Sequence, residues 1–262
     1  MLVQRVLTGS VGVLLVLGAT WLGGIWMALF FAVIAAVCTV EIGTMMHVRL
    51  TSAESILALV FVVLLVVWPQ FENFWYVLLY VLLIVTVFRR QQFSFPAAAV
   101  LFAGALYSSY AFRNLLDLRP LSHGIGWVLI VFIAIWTTDT GAYFIGRAFG
   151  GRKLLPEVSP KKTVSGAVGG LIFSVICTVI AGGSFMGDLG QDWWRFAILG
   201  LVVSVAGQAG DLIESALKRH YEVKDSGWLL PGHGGLLDRF DSLLLAAPIA
   251  YHLVQWLFFT QW

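Results

Sequence analysis

Charge is scarce in this 262-residue chain. Asp, Glu, Lys and Arg make up 11% of it, against about 25% in soluble globular domains. That deficit excludes a soluble globular domain, and 60% hydrophobic residues with a mean hydropathy of +0.90 indicate a polytopic membrane protein. The net charge of +2 is too small for bulk electrostatic binding, so no nucleic-acid partner is expected. Cysteine is nearly absent. Cys38 and Cys177 lie far apart in apolar runs with no histidine at ligand spacing, which leaves two packing residues and no disulfide or zinc site. A Ser-His-Asp or Cys-His arrangement is missing too. No Walker A loop is present, since Gly146 is followed by Arg-Ala-Phe-Gly-Gly-Arg-Lys, and no Gly-x-Gly-x-x-Gly follows a strand.

What the chain has instead is apolar runs. They predict an all-α protein with about nine transmembrane helices, near 11–22, 25–42, 54–68, 74–88, 97–117, 127–146, 164–182, 195–217 and 241–259. Only Gly23-Gly24 divides the first pair, so 11–42 is either two spans or one tilted helix. The hydrophobicity continues past Arg5 to Val40 without a small-residue cleavage site, which favours a retained helix over a signal peptide. With the N-terminus inside, alternation collects Arg5, Arg49, Arg89, Arg90, Arg147, Arg152, Lys153, Lys161, Lys162, Lys218, Arg219, Lys224 and Arg239 on the cytoplasmic side. Only Arg113, Arg119 and Arg195 remain opposite. The expected topology is therefore N-inside and C-outside.

The charge is clustered. Segments 139–162 and 211–241 hold 17 of the 30 charges, and two intervening helices return both to the cytoplasmic face, where they can form one site. Charges at a bilayer boundary cost several kcal/mol (about) unless paired or solvated, and so mark functional candidates. Asp211, Glu214 and Lys218 share one helix face, with Gly207 and Gly210 keeping neighbours close. A Glu214–Lys218 salt bridge is the bland alternative there, whereas Asp211 has no local cation. Segment 224–235 is a Gly- and Pro-rich loop whose glycines let backbone N–H groups approach an anion. Asp238 and Asp241 stand one turn apart where the last helix begins; capping accounts for one of them. In the other cluster, Asp139 lies near the cytoplasmic end of its helix and Ser159-Pro160-Lys161-Lys162-Thr163 leads into the next. Thr163 can cap that helix, and the two lysines are either a phosphate-binding corner or snorkelling anchors. Arg147, Arg152 and Lys153 fit a loop facing anionic lipid.

Carboxylates without clustered cysteine or histidine select a hard cation, and Mg2+ beside Lys and Arg is the usual apparatus for phosphate. The missing nucleophile suits a reaction whose nucleophile is already an anion, such as a phosphate monoester attacking the α-phosphorus of a nucleoside triphosphate.

The stretch Ser215-Ala216-Leu217-Lys218-Arg219, four residues, Lys224-Asp225, then Leu230-Pro231-Gly232-His233-Gly234-Gly235-Leu236-Leu237-Asp238-Arg239-Phe240-Asp241 resembles the signature of the bacterial phosphatidate cytidylyltransferases, or CDP-diacylglycerol synthases. So do Asp139-Thr140-Gly141-Ala142-Tyr143 with Gly146-Arg147, Ser159-Pro160-Lys161-Lys162-Thr163, and Gly210-Asp211-Leu212-Ile213-Glu214-Ser215. One departure is Ser165, where that family commonly has glutamate. The resemblance implies a site at the cytoplasmic membrane interface of a bacterial inner-membrane protein, with CTP and phosphatidate as substrates. It implies Mg2+ on Asp211 and Asp238, with a monovalent cation such as K+ nearby, and Lys218, Arg219 and Asp241 as further catalytic groups. Substrate contacts fall by resemblance to Asp139, Ser159, Lys161, Lys162, Lys224, Asp225, His233, Gly234, Gly235 and Arg239. Residues 1–126 would be scaffold, a lipid-facing or dimer region, and 127–262 the catalytic region with the signature at 215–241. A homodimer is an expectation of the resemblance and of Gly166 paired with Gly170, a spacing that also serves packing within one chain. Other functions compatible with these residues are a CTP-dependent lipid-alcohol kinase, with His220 or His233 near, an intramembrane aspartyl protease using Asp139 and Asp211, and an ion-coupled transporter.

Overall fold

A computed structural model describes residues 2–48, 51–89, 91–227 and 234–260. Among these the chain forms nine α-helices: α1 (Leu2–Leu22), α2 (Gly24–Met45), α3 (Ala53–Val67), α4 (Trp75–Phe88), α5 (Phe95–Asp117), α6 (Gly124–Phe149), α7 (Val164–Phe185), α8 (Trp193–His220) and α9 (Leu237–Val254). Six helices among the described residues, α2 and α5 to α9 with the π-helical extension Gln255–Phe259, are long and apolar enough to cross a membrane. The apolar helices Leu7–Leu22, Ala53–Val67 and Trp75–Phe88 are shorter. Residues 11–42 are two helices, because Gly23 and Gly24 take φ of 65° and 49°, a backbone region that favours glycine. One element departs from an all-helical reading: β1 (Lys153–Leu155) and β2 (Ser159–Thr163) pair as a short antiparallel hairpin. Pro160 lacks a backbone N–H and biases Ser159 toward extended backbone, which suits a strand at this position.

Two compact units result, Met1–Leu116 with His220–Phe240, and Asp117–Arg219 with Asp241–Trp262. In the first, Phe31 of α2 stacks on Phe112 of α5 at 5.4 Å, and Phe112 meets Phe240 edge-on at 5.6 Å. Two buried charges there have partners: Glu54 pairs with Arg89 at 2.9 Å, and Arg113 donates to the Val66 carbonyl at 3.1 Å. In the second, Trp127 packs against Phe196 and Phe258. Thr138 of α6 donates to Ser204 of α8 at 2.7 Å, and Ser174 of α7 donates to the Gly200 carbonyl at 2.9 Å. Val168, Ile172, Ile176 and Ile180 form an exposed stripe along α7, a surface suited to hydrocarbon rather than water.

Candidate active site

The second unit contains a cavity of about 480 Å3. Its wall includes Asp139, Tyr143 and Arg147 of α6, Lys161 and Lys162 of β2, and Gln208 and Asp211 of α8. Small residues draw the walls together. A Cβ on Gly166 would stand 2.8 Å from the Ala142 carbonyl oxygen, and one on Gly170 would stand 2.8 Å from that of Thr138. Only glycine permits this approach of α7 to α6, so the Gly166 and Gly170 pair is engaged within the chain.

The hairpin then aims the lysines. Thr163 caps α7, its Oγ1 accepting from the Gly166 N–H at 3.1 Å. Val164 N–H donates to the Arg152 carbonyl at 2.9 Å, tying the start of α7 to the start of the hairpin. Ser165 hydrogen-bonds the Gly150 carbonyl and lies 3.1 Å from Thr163 Oγ1. Ser165 is therefore a hydroxyl that fastens the start of α7 to the end of α6.

Lys162 is ion-paired with Asp211, supplying from another element the cation that the α8 sequence lacks locally. Asp241 lies within electrostatic range of Asp211, Asp139 and Lys162. The close approach of Gly210 to Asp241 makes this possible, because a Cβ on Gly210 would sit 2.5 Å from the Asp241 carbonyl oxygen. Three acids and Lys162 thus form one electrostatic cluster, with Lys161 beside it on the wall. Arg147 joins the wall rather than a lipid-facing loop, its guanidinium held by the Tyr143 hydroxyl at 2.9 Å. Reading residue types along the sequence missed Tyr143 and Gln208 as wall residues and gave Arg147 a different role. The available signal was the position of Arg147 two helical turns beyond Asp139.

Other expected residues lie off this cavity. Lys218 pairs with buried Glu214 at 2.6 Å, and Arg219 Nε is 3.4 Å from the Val158 carbonyl at the hairpin turn. Ser159 opposes Leu155 in the hairpin and does not line the cavity.

The signature loop belongs to the first unit. Asp238 Oδ2 accepts from Ser226 N–H at 3.0 Å, Ser226 Oγ–H at 2.9 Å and Gly235 N–H at 2.8 Å. Gly234 has φ of 79°, and a Cβ there would stand 2.7 Å from the same oxygen. Lys224, Asp225 and Arg239 are exposed around this knot; His233 lies outside the described residues. Sequence reading also missed Glu41 of α2, whose buried carboxylate accepts from Leu236 N–H at 2.9 Å, Leu237 N–H at 2.7 Å and Ser226 Oγ–H at 3.0 Å. Its signal was a lone acid in an apolar run. The loop's converging N–H groups, expected to approach an external anion, engage Asp238 and Glu41.

The donor chemistry available is carboxylate oxygen, which suits a hard cation such as Mg2+. No group of three or more His, Cys, Asp or Glu side chains among the described residues is placed to hold a metal alone. Mg2+ is commonly held by one or two carboxylates together with substrate phosphates, and Asp211, on the cavity wall among lysines, fits that arrangement.

Residues 3–257 match the model of the cytidylyltransferase family. A phosphatidate cytidylyltransferase of Staphylococcus haemolyticus is 35% identical over 254 residues, covering 94% of this chain and 96% of its own. That of Bacillus subtilis is 35% identical over 264 residues, covering 96% and 97%, and that of Staphylococcus saprophyticus 36% over 254, covering 94% and 96%. A match over nearly the whole of each chain extends beyond the signature to the N-terminal helices, and this chain belongs to the cytidylyltransferase family.

Proposed function

We propose that this enzyme transfers the cytidylyl group of CTP to phosphatidate, giving CDP-diacylglycerol and pyrophosphate. The observation that carries the reading is the cavity wall on which Lys161, Lys162 and Arg147 stand beside Asp139 and Asp211. Phosphates need cations and no base is needed, because the lipid phosphate is already anionic. Its oxygen attacks the α-phosphorus, the bond to the bridging oxygen of the β-phosphate breaks, and pyrophosphate leaves with the electron pair. Lys161, Lys162 and Arg147 bind and orient phosphate oxygens and offset their mutual repulsion. Lys162 exchanges Asp211 for substrate when the nucleotide enters. Asp211 holds Lys162 and Asp241 offsets its charge before substrate enters, Asp139 stands on the same wall, and Lys218, Arg219, Lys224 and Arg239 add positive charge around the signature.

Mg2+ is part of the proposal, with Asp211 and Asp238 as its protein ligands and K+ as a neighbouring monovalent ion; bound Mg2+ supplies Lewis-acid neutralisation of the phosphoryl oxygens. Asp225, Ser159, His233, Gly234 and Gly235 are assigned to substrate contacts on the signature alone. The enzyme is an integral protein of the bacterial inner membrane with nine spans, its N-terminus and catalytic face cytoplasmic, and it works as a homodimer. Residues 1–126 serve as scaffold and 127–262 carry catalysis. The distribution of Lys and Arg supports this orientation, and the apolar stripe on α7 supports burial in lipid.

The test uses purified protein in detergent with CTP labelled at the α-phosphate, phosphatidate and Mg2+. Label should enter the lipid phase, disappear on chelation with EDTA, return with added Mg2+, and be absent in Asp211→Asn. No transfer of α-label, or transfer to a lipid alcohol from CTP labelled instead at the γ-phosphate, would overturn the proposal.

A further inference from the structure

We propose that Glu41 is a positioning residue for the catalytic signature, an acid on the N-terminal helix α2 that holds the signature loop and the start of α9 in their working geometry. The inference rests on the cytidylyl-transfer reading and extends it to a half of the chain that the sequence reading left as scaffold.

Glu41 is the one acidic or basic side chain in α2 and is 6% exposed. A carboxylate there is costly unless fully hydrogen-bonded, and its donors come from the signature: Ser226, Leu236 and Leu237. Leu236 and Leu237 provide backbone N–H groups at the first turn of α9, two of the donors that a helix leaves unpaired at its N-terminus. Capping is normally done by a residue immediately before the helix. Here the capping acid lies 195 and 196 residues away, so the cap also fixes the first turn of α9 to α2. The positive end of the helix dipole favours the same carboxylate.

The third donor couples Glu41 to Asp238. Ser226 Oγ is 3.0 Å from Glu41 Oε2 and 2.9 Å from Asp238 Oδ2, and its single proton is shared between them. Glu41, Ser226 and Asp238 therefore form one network with the backbone of Ser226, Gly235, Leu236 and Leu237. Two glycines of the loop are explained by it. A Cβ on Gly227 would fall on Glu41 Oε1, and one on Gly235 would meet Glu41 Oε2 at 2.5 Å and collide with Ser226 Oγ. Their bareness makes room for this acid. Because Asp238 and Ser226 are set by the same network, loosening Glu41 changes the direction of Asp238 without removing any group that touches substrate.

The experiment compares wild type, Glu41→Gln and Ser226→Ala, full-length and in detergent, by two readouts. Hydrogen–deuterium exchange of peptides covering 234–240 and of control peptides in α6 and α7 reports the loop; steady-state transfer of α-label from CTP reports catalysis. Gln keeps the size of Glu but replaces an acceptor with an N–H2 donor facing N–H groups. Exchange at Gly235, Leu236 and Leu237 should accelerate at least tenfold in Glu41→Gln while α6 and α7 stay unchanged. The turnover kcat should fall by about 10–100-fold, the range for losing a group that orients a site ligand, with KM for CTP changed far less. Ser226→Ala should move both readouts the same way by a smaller factor, and it decides the matter if Glu41→Gln does not fold. Unchanged exchange at 234–240 would overturn the proposal. So would a fall in thermal stability with kcat and KM of the folded enzyme at wild-type values, which is a purely structural role. If wild type transfers no label to lipid, the functional reading fails, and the exchange data alone still decide whether Glu41 holds the loop.

Discussion

Gly210 gives a sharp test of the α8–α9 contact. A Cβ at this position would lie 2.5 Å from the Asp241 carbonyl oxygen and 3.3 Å from Ser242 Cα, whereas ordinary contact begins at 3.4 Å. In Gly210→Ala the backbone at Asp241 must retreat from α8 by about 0.9 Å, the difference between those distances. Overpacking of this kind costs ~1–3 kcal/mol, and the better helix propensity of alanine returns ~1 kcal/mol. The net loss of stability, ~0–2 kcal/mol, leaves the protein folded. Catalysis is more sensitive, because the same shift separates Asp211 from Asp241, and a misplacement near 1 Å costs on the order of 10²-fold. Three positions earlier, a Cβ on Gly207 would meet nothing closer than Ser242 Cβ at 3.6 Å, so Gly207→Ala should keep full activity and gain up to ~1 kcal/mol of stability. Initial rates of α-label transfer into lipid, with thermal unfolding of the same preparations, check both variants. Turnover of Gly210→Ala within about threefold of wild type, or equal damage from both substitutions, would refute the claim that this contact sets the acidic cluster.

Lys162→Met removes the cation paired with Asp211 and a phosphate contact at once; kcat/KM should fall by about 10²–10³-fold, with partial recovery in Lys162→Arg, measured in the same assay. Thr163→Ala deletes the cap on α7, whose hydroxyl accepts from Gly166 N–H at 3.1 Å, and should cost ~1 kcal/mol of stability by denaturant or thermal unfolding.

The helices were legible in the sequence because apolar runs in a membrane protein have few alternatives: a spanning segment must satisfy its own backbone. Their ends were less so. The break at Gly23-Gly24 could not be placed from hydropathy alone, since it turns on two positive φ values that glycine permits but does not require. The hairpin at 153–163 leaves no pattern in the sequence, because a strand of three residues carries too little periodicity to detect.

The site divides in the same way. Residues whose chemistry is local were legible: Thr163 as a cap, Glu214 with Lys218 as a pair one turn apart, and Gly210 as a close-contact position. Residues defined by distant partners were not. Asp211 lacks a cation within one turn of its own helix and takes one from β2. Glu41 makes its hydrogen bonds across more than 180 residues, so no window of sequence displays its purpose. What the sequence does display is cost. An acid amid the apolar residues of α2 is expensive to bury, and an expense of that kind implies partners somewhere in the fold. The same argument applied to the signature explains why its glycines and Ser226 are closely spaced: two carboxylates, Glu41 and Asp238, must both be satisfied by one short loop. The described ends of that loop, 226–227 and 234–237, are held by two internal anions and have little freedom left. That rigidity is what a reaction dependent on placing phosphates, rather than on an activated nucleophile, requires.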